Sequence, residues 1–461
     1  MPGTLTDLVE LIDDRSARGI AAAIGRMVTA GTLPTDARLP TVRALSRALG
    51  VSPTTVSEAW QTLAAVGAIE ARGRLGTFVR QPVGPGGPRR YRRVTEGPGH
   101  FALDLSSGTP DPALLPDLAK IIAKVSGNSL TSSYLDQPVL PQLETALRDG
   151  WPFEAEELTV VDGAMDALDR VAAVVLRLGD RVVVEHPTFP PLIDLLEQMG
   201  AEILGVDIDS EGMSVDGFAA ALARQPAAVF LQPRAHNPTG YSMTARRRAA
   251  LAALLTDPAG GGSAAVIVED DHSGDIASSE LHSFGSLLPE RTVHIRSFSK
   301  SHGPDLRLAA IGGARDVVRS VANRRLLGPG WSSRILQAVL VGLLDDPDTE
   351  RVLKHARSEY GRRRDLVTRV LAERGVPFTD GDGINLWMRV NDERSALITL
   401  AAQGVGVAPG EPFMVRPDAD SLRITVGLLT GSDSDIAGTA RRLADAAGFD
   451  IHRNGTRPSQ R

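Results

Sequence analysis

Residues 297–313 read Ser297-Phe298-Ser299-Lys300-Ser301-His302-Gly303-Pro304-Asp305-Leu306-Arg307-Leu308-Ala309-Ala310-Ile311-Gly312-Gly313. Lys300 is the residue around which the rest of the body can be placed. Lysine is scarce in this chain, with only Lys120, Lys124, Lys300 and Lys354 beside 46 arginines. Lys120 and Lys124 stand four apart on a helical stretch and Lys354 lies in a charged helix, so these three read as solvated faces. Lys300 instead follows an apolar stretch, Thr292–Ser297, that reads as a strand. Serines precede it, a Gly-Pro turn follows, and Arg307 stands seven residues on. A lysine that forms a Schiff base must be held at the end of a rigid element, with its amine deprotonated by its surroundings. Hydroxyls and a guanidinium beside it suit a phosphate.

Upstream of that string the chain alternates short apolar runs with helical ones. Leu158–Val161, Arg181–Glu185, Ala201–Val206, Ala227–Leu231, Ala264–Glu269 and Thr292–Ser297 read as strands. Helical segments such as Ala164–Leu178 and Thr244–Leu255 separate most of them. This order predicts a mainly parallel sheet wrapped by helices. Beyond about Glu350 come a long charged helix and strands at Ile384–Val390 and Leu422–Val426, which predict a smaller C-terminal α+β subdomain.

The strand ends carry the chemistry. Gly163-Ala164-Met165 follows a strand and opens a helix, where free N–H groups can cradle a phosphate. In Glu185-His186-Pro187-Thr188-Phe189-Pro190 the aromatic face of Phe189 can stack on a flat ring. His236-Asn237-Pro238-Thr239-Gly240 presents an amide in a turn. Glu269-Asp270-Asp271-His272 puts carboxylates at a strand end. Arg423, in Leu422-Arg423-Ile424-Thr425-Val426-Gly427, can clamp a carboxylate bidentately. Singly these are weak signals, since Asn and Asp in loops usually serve turns. Their order resembles the fold-type I, class I/II aminotransferases across about residues 101–450. That resemblance implies pyridoxal 5′-phosphate (PLP) carried by Lys300 as the catalytic lysine. It implies Asp270 on the pyridine nitrogen, Asn237 on the 3-hydroxyl and Phe189 stacked on the ring. It implies Ser297, Arg307, Ala164 and Met165 on the phosphate, with Tyr134 reaching the phosphate of a partner subunit. Arg423 would take a substrate or effector carboxylate. His272 stands where the family commonly has a tyrosine bonded to the 3-hydroxyl. An imidazole can donate the same bond, with a titration expected near neutrality. Asp271 replaces Asp270 if the local register differs. Val139 stands where a glycine is usual.

Residues 81–99, dense in Pro, Gly and Arg with no apolar period, read as a linker. The head before it reads as helices and a hairpin. Ala17–Ala30 is helical, Thr41–Leu49 is helical and stops at Gly50, and Ser52-Pro53 is an N-cap followed by proline at the first helical position. The helix that follows would bury Val56, Trp60, Leu63 and Ala64. Ala68–Ala71 and Thr77–Arg80 flank a basic tip, Arg72-Gly73-Arg74-Leu75-Gly76. Two helices joined across Gly50-Val51 make a helix-turn-helix, whose second helix would present Thr54, Thr55 and Ser57 to base edges. The helix start at Ser52, together with Arg43 and Arg47, would meet phosphates, and Arg72 and Arg74 with Gly76 would form a wing tip. The string from Ala17 to Val79, with Leu39-Pro40, Leu49-Gly50-Val51-Ser52, Thr55-Val56 and Gly76-Thr77-Phe78-Val79, resembles the winged helix-turn-helix of the GntR superfamily. Pro53 and Ser57 stand where many members carry arginine, which removes two strong guanine or phosphate ligands.

Head and body together resemble the MocR subfamily of GntR-type regulators. The expected organisation is a head over 1–80, a linker over 81–100, an aminotransferase-like body over 101–450 and a polar tail over 451–461. The resemblance implies a homodimer that binds operator DNA, with PLP or an amine or amino-acid effector altering that binding. An aminotransferase with an accessory DNA-binding head, or a sensor of PLP alone, are the alternatives. Residues 1–80 carry nine Lys/Arg against seven Asp/Glu in a chain of net charge −6, so a mildly basic head sits on an acidic body. No cysteine is present, which excludes disulfides and thiolate metal sites, and no metal site is expected. With no long uncharged apolar run and acids near the N-terminus, neither a membrane span nor secretion is expected, and a cytoplasmic protein is.

Overall fold

The computed structural model describes residues 8–449, apart from 10, 30–31, 35, 66–67, 74–75, 80–87, 96–100, 126–132, 134–135 and 258–263. Arg74, Tyr134 and the 451–461 tail therefore lie outside the described residues. The chain divides into two units. One comprises Met1–Pro88 with Arg177–Asp180 and Asp194–Glu202. The other comprises Arg89–Leu176, Arg181–Ile193 and Ile203–Arg461.

In the first unit three helices, α1 (Ala17–Thr29), α2 (Val42–Leu49) and α3 (Pro53–Ala65), precede an antiparallel hairpin of β1 (Ile69–Ala71) and β2 (Thr77–Val79). Thr41 caps α2 by accepting the Ala44 N–H, and α2 closes on Gly50. Ser52 caps α3, its Oγ accepting the N–H of Thr55 at 3.1 Å. The buried face of α3 is Val56, Ala59, Trp60 and Leu63, packed on Ile20, Ile24, Leu45 and Leu49. Ala64 is exposed, a correction to the face expected from sequence. The period i, i+3, i+4, i+7 selects Ala59 instead.

The second unit opens with a helix where a featureless linker was expected. Residues Arg89–Thr95 form α4. Val94 is buried against Trp387, Ala408 and Phe413, which supplies the apolar contact that a scan for periodicity over so short a run does not reveal.

The central sheet has eight strands in the order β4-β11-β10-β9-β8-β5-β6-β7. They are β4 (Glu157–Val161), β5 (Arg181–His186), β6 (Glu202–Asp209), β7 (Gly212–Met213), β8 (Ala228–Leu231), β9 (Val266–Asp271), β10 (Thr292–Ser297) and β11 (Ala309–Gly313); β3 (Leu103–Asp104) lies earlier, outside the sheet. Strands β5, β8, β9 and β10 run parallel, while β11 is antiparallel to both β10 and β4. The ends of β4, β5, β8, β9 and β10 therefore emerge at one edge, where ligands of such sheets bind. Strand β11 was not among the strands expected from sequence, and it ends in two glycines. A side chain at Gly312 would meet Trp151 at 2.7 Å, so this glycine serves close packing rather than a bend.

The smaller C-terminal part is α+β. Strands β12 (Leu386–Arg389), β14 (Ala408–Pro409) and β15 (Ser421–Ile424) form an antiparallel sheet in the order β12-β15-β14, and β13 (Val405–Gly406) pairs with β3. The helices Pro347–Glu373, Glu393–Ala402 and Asp433–Ala447 contribute Val367, Leu371, Leu400 and Leu443 to its core.

Candidate functional site

Lys300 lies in the turn three residues beyond β10 and is half-buried. Its Nζ donates to the Gly108 carbonyl at 2.5 Å. Burial first, and the Arg423 charge second, push its amine down to about 8, while Asp270 opposes the shift. A substantial fraction is thus unprotonated just above neutrality.

Asp270 stands beside Ile295 across β9 and β10. It is buried, its Oδ2 accepts from Gln232 Nε2 at 2.8 Å, and its Oδ1 is buried without a partner. Burial pushes its carboxyl up to about 6, with the Gln232 N–H offsetting part of that. Asp271 points into a different environment. Arg234 donates Nε and Nη2 to its two oxygens at 2.9 and 2.8 Å. The carboxylate with an open acceptor is therefore Asp270, and Asp271 is taken by Arg234.

His272 donates Nε2–H to the Ala235 carbonyl at 3.0 Å; a carbonyl only accepts, which fixes the tautomer. Burial and then the Lys300 charge push its pKa down to about 3. The expectation of a titration near neutrality is thereby corrected, and the one N–H of the neutral ring is spent on the backbone. Asn237 is buried in the turn after β8, its N–H given to Gln232 Oε1 at 2.8 Å. Gln232 thus grips both neighbours, and its amide orientation follows because the backbone N–H must meet its oxygen. No motif points to Gln232, since glutamine after a strand is ordinary, and only the tertiary contact reveals it. Phe189 is half-buried at the start of the helix Pro190–Gln198.

The helix Ala164–Val175 begins at Gly163, with φ +101° and no side-chain cap, so its first-turn N–H groups are left open. A Cβ at Gly163 would stand 2.9 Å from Arg307 Nη2, so the absence of a side chain is what lets the guanidinium lie over the helix start. Arg307 donates to the Asp162 carbonyl at 3.0 Å and is exposed. Ser297 is buried at the end of β10, its Oγ accepting from the Ser299 N–H.

Arg423 is buried in β15, donates Nη2 to the Ser106 carbonyl, and keeps Nε without a partner. Its Nη1 would meet a Cβ at Gly108 at 2.5 Å, a second place where only glycine fits. Burial pushes its pKa down to about 10. Lys300 and Arg423 therefore hold the same short segment, Ser106–Gly108, through its carbonyls.

In the head, Arg43 and Arg47 are exposed and, with Ser46, Gly50, Val51 and Pro53, line a cleft of about 500 Å³. Thr54 is exposed and Ser57 half-buried. Thr55 Oγ1 lies 2.9 Å from Ser52 Oγ, and its N–H donates to that cap oxygen. Arg72 is ion-paired to Asp36 and Glu70 at 2.6 and 2.5 Å and stacks over Phe78, which offsets the charge expected at the wing. Gly76 closes the tip, its carbonyl accepting the Arg72 N–H at 2.8 Å. Among the described residues no helix is long and apolar enough to cross a membrane, and no cluster of His, Asp and Glu is arranged to hold a metal.

The aminotransferase class I and II family model matches residues 102–440, and that of the gntR family of bacterial regulatory proteins matches residues 16–79. The chain is 35% identical over 431 residues to the vitamin B6 salvage pathway transcriptional repressor PtsJ of Salmonella typhimurium, covering 92% of this chain and 97% of that one. It is 27% identical over 451 residues to the HTH-type pyridoxine biosynthesis transcriptional regulator PdxR of Corynebacterium glutamicum, covering 92% and 94%. Among solved structures, the kynurenine aminotransferase of Pyrococcus horikoshii superposes with a TM-score of 0.69 at 22% identity, over 78% of this chain and 93% of that one, a likeness of fold. Fold and site together define a transcriptional regulator with a GntR-type winged head and a fold-type I aminotransferase body. The chain belongs to the MocR subfamily of GntR-type regulators.

Proposed function

We propose that this regulator carries PLP on Lys300 and that ligand capture in the body sets how the head binds operator DNA. The observation that carries the reading is the pair formed by a half-buried amine at about 8, just beyond β10, and the buried, unpartnered Asp270 Oδ1 near the end of the adjacent β9. The open oxygen suits a protonated ring nitrogen. Phe189 would cover the ring and the Asn237 carboxamide would bond its hydroxyl, since His272 has no N–H to spare. Ser297, Ala164, Met165 and Arg307 would receive the phosphate, with Tyr134 completing that site from a second copy in a homodimer. Bound there, PLP would supply a carbonyl that captures primary amines and a ring that withdraws electrons. Arg423 would receive the carboxylate of an amino-acid effector, exchanging its Ser106 contact for a charged one.

The names of PtsJ and PdxR concern vitamin B6, which favours PLP itself among the ligands sensed. A working aminotransferase with an accessory head is the weaker reading, because the imidazole in the tyrosine's place has its donor spent. Two heads in a cytoplasmic dimer would favour paired half-sites.

The test is the visible spectrum of the protein with added PLP, followed by borohydride reduction and peptide mapping. An imine band with the label fixed on Lys300 is expected; no band, or label elsewhere, overturns the reading. On DNA, Arg43→Ala is expected to lower affinity and to flatten the dependence of log K on log salt by about 0.9, as one phosphate contact requires. Arg72→Ala is expected to leave that slope nearly unchanged, because Asp36 and Glu70 already offset its charge. Equal slopes for the two variants would contradict this division of roles.

A further inference from the structure

Arg423 lies in the middle strand of its small sheet, directly opposite Trp387 on one side and Ala408 on the other. Residues directly opposite one another share a sheet face. Val94 of α4 belongs to one buried apolar cluster with both flanking residues and Phe413. The helix that ends the linker therefore covers the sheet face on which Arg423 stands. Phe413 is fully buried; the Arg423 guanidinium lies 5.3 Å from its ring centroid, and its ring meets Trp387 edge-on at 5.7 Å.

The loop that carries Phe413 touches every party. Arg90 donates Nη1 to the Met414 carbonyl at 3.0 Å, and Arg93 pairs with Glu411 at 2.6 Å. The Phe413 carbonyl accepts the Thr188 N–H at 2.9 Å, and His186 Nδ1 accepts the Val415 N–H at 3.3 Å. Thr188 immediately precedes Phe189, the residue placed against the cofactor ring. One short loop thus joins α4, the segment presenting Phe189 and the carboxylate arginine.

We propose that Phe413 is a positioning residue that couples the state of Arg423 to the docking of α4, so that what Arg423 holds is read by the segment leading to the head. This rests on the reading of Arg423 as the carboxylate ligand. A rigid ring that meets a guanidinium and shares a buried cluster with Val94 transmits displacement because close-packed side chains have few alternative arrangements. Coupling is reciprocal, so loosening the helix must also alter the site.

The experiment follows amide hydrogen exchange of residues 89–95 in the full-length protein without added PLP. Arg423→Gln, which leaves the Arg90, Arg93 and Val94 contacts of the helix in place and removes a charge that also faces Tyr91, is expected to speed exchange there at least about fivefold, the lower range of such couplings. Exchange in Val266–Asp271 should be unchanged, which shows the body folded. Phe413→Leu is expected to do the same. In the reciprocal direction, Arg90→Ala/Arg93→Ala is expected to shift PLP affinity at least about fivefold. Faster exchange in Phe413→Leu with none in Arg423→Gln would reduce Phe413 to packing and overturn the proposal. No imine band with PLP would overturn the function proposed above and leave the exchange result standing on its own.

Discussion

Asp270→Asn is expected to stabilise the protein free of cofactor and, at the same time, to weaken its hold on PLP. The carboxyl sits at about 6 instead of 3.8, chiefly because it is buried. Its folded pKa exceeds its unfolded one, so the native state holds the extra proton between about pH 4 and 6. The associated stability is complete at low pH and is lost as pH rises through about 6. Above that point the buried charge costs on the order of 3 kcal/mol. Asparagine has no charge to bury and still offers Gln232 an acceptor. The apo variant should therefore melt above the parent at pH 7.5, with the gap closing toward pH 4. Cofactor affinity should fall by about 30-fold or more, since losing one partner of a buried charge pair costs about 2–5 kcal/mol. Calorimetric melts over pH and a PLP titration read both effects. An apo melting point at or below the parent's at pH 7.5 would show that Oδ1 is not an uncompensated acceptor.

Lys300→Ala should abolish the imine band and the borohydride label altogether, while Ser297, Ala164, Met165 and Arg307 remain to hold the phosphate non-covalently. In the parent protein the rate of PLP capture should climb with pH about a midpoint near 8, because only the free amine attacks a carbonyl. Stopped-flow absorbance between pH 6.5 and 9.5 measures it; a rate that is flat across that range contradicts the lowered amine. The same variant separates two modes of sensing. A change in DNA binding that requires an amine to displace Lys300 should be diminished in Lys300→Ala, whereas a change caused by PLP occupancy alone can persist. An amine response undiminished in this variant would sink the covalent version.

Much of the architecture is legible along the chain because its signals are local. Caps such as Thr41 and Ser52, apolar periods and the Gly-Pro turn after Lys300 act over three or four residues. Helices α1 to α3, the hairpin and the parallel strands accordingly fall where those signals place them, within a few residues. Two elements escape them. Strand β11 ends in two glycines, of which Gly312 serves packing against Trp151, and α4 is too short for its single buried valine to form a pattern.

By itself the sequence determined the class of head, the class of body, and the unusual position of Lys300. It left Asp270 and Asp271 as alternatives, and in the tertiary structure Arg234, 37 residues from Asp271, occupies the Asp271 carboxylate while Asp270 Oδ1 has no partner. It raised His272 as a titrating donor, and the fold corrected that by burying the ring against the Ala235 carbonyl. It gave no hint of Gln232, of the ion-paired Arg72, or of Lys300 reaching the Gly108 carbonyl 192 residues away. The reason is physical. Helix and strand propensities are sums of short-range terms, whereas the protonation and partners of a buried group depend on desolvation and on charges that only the folded chain brings within a few ångströms.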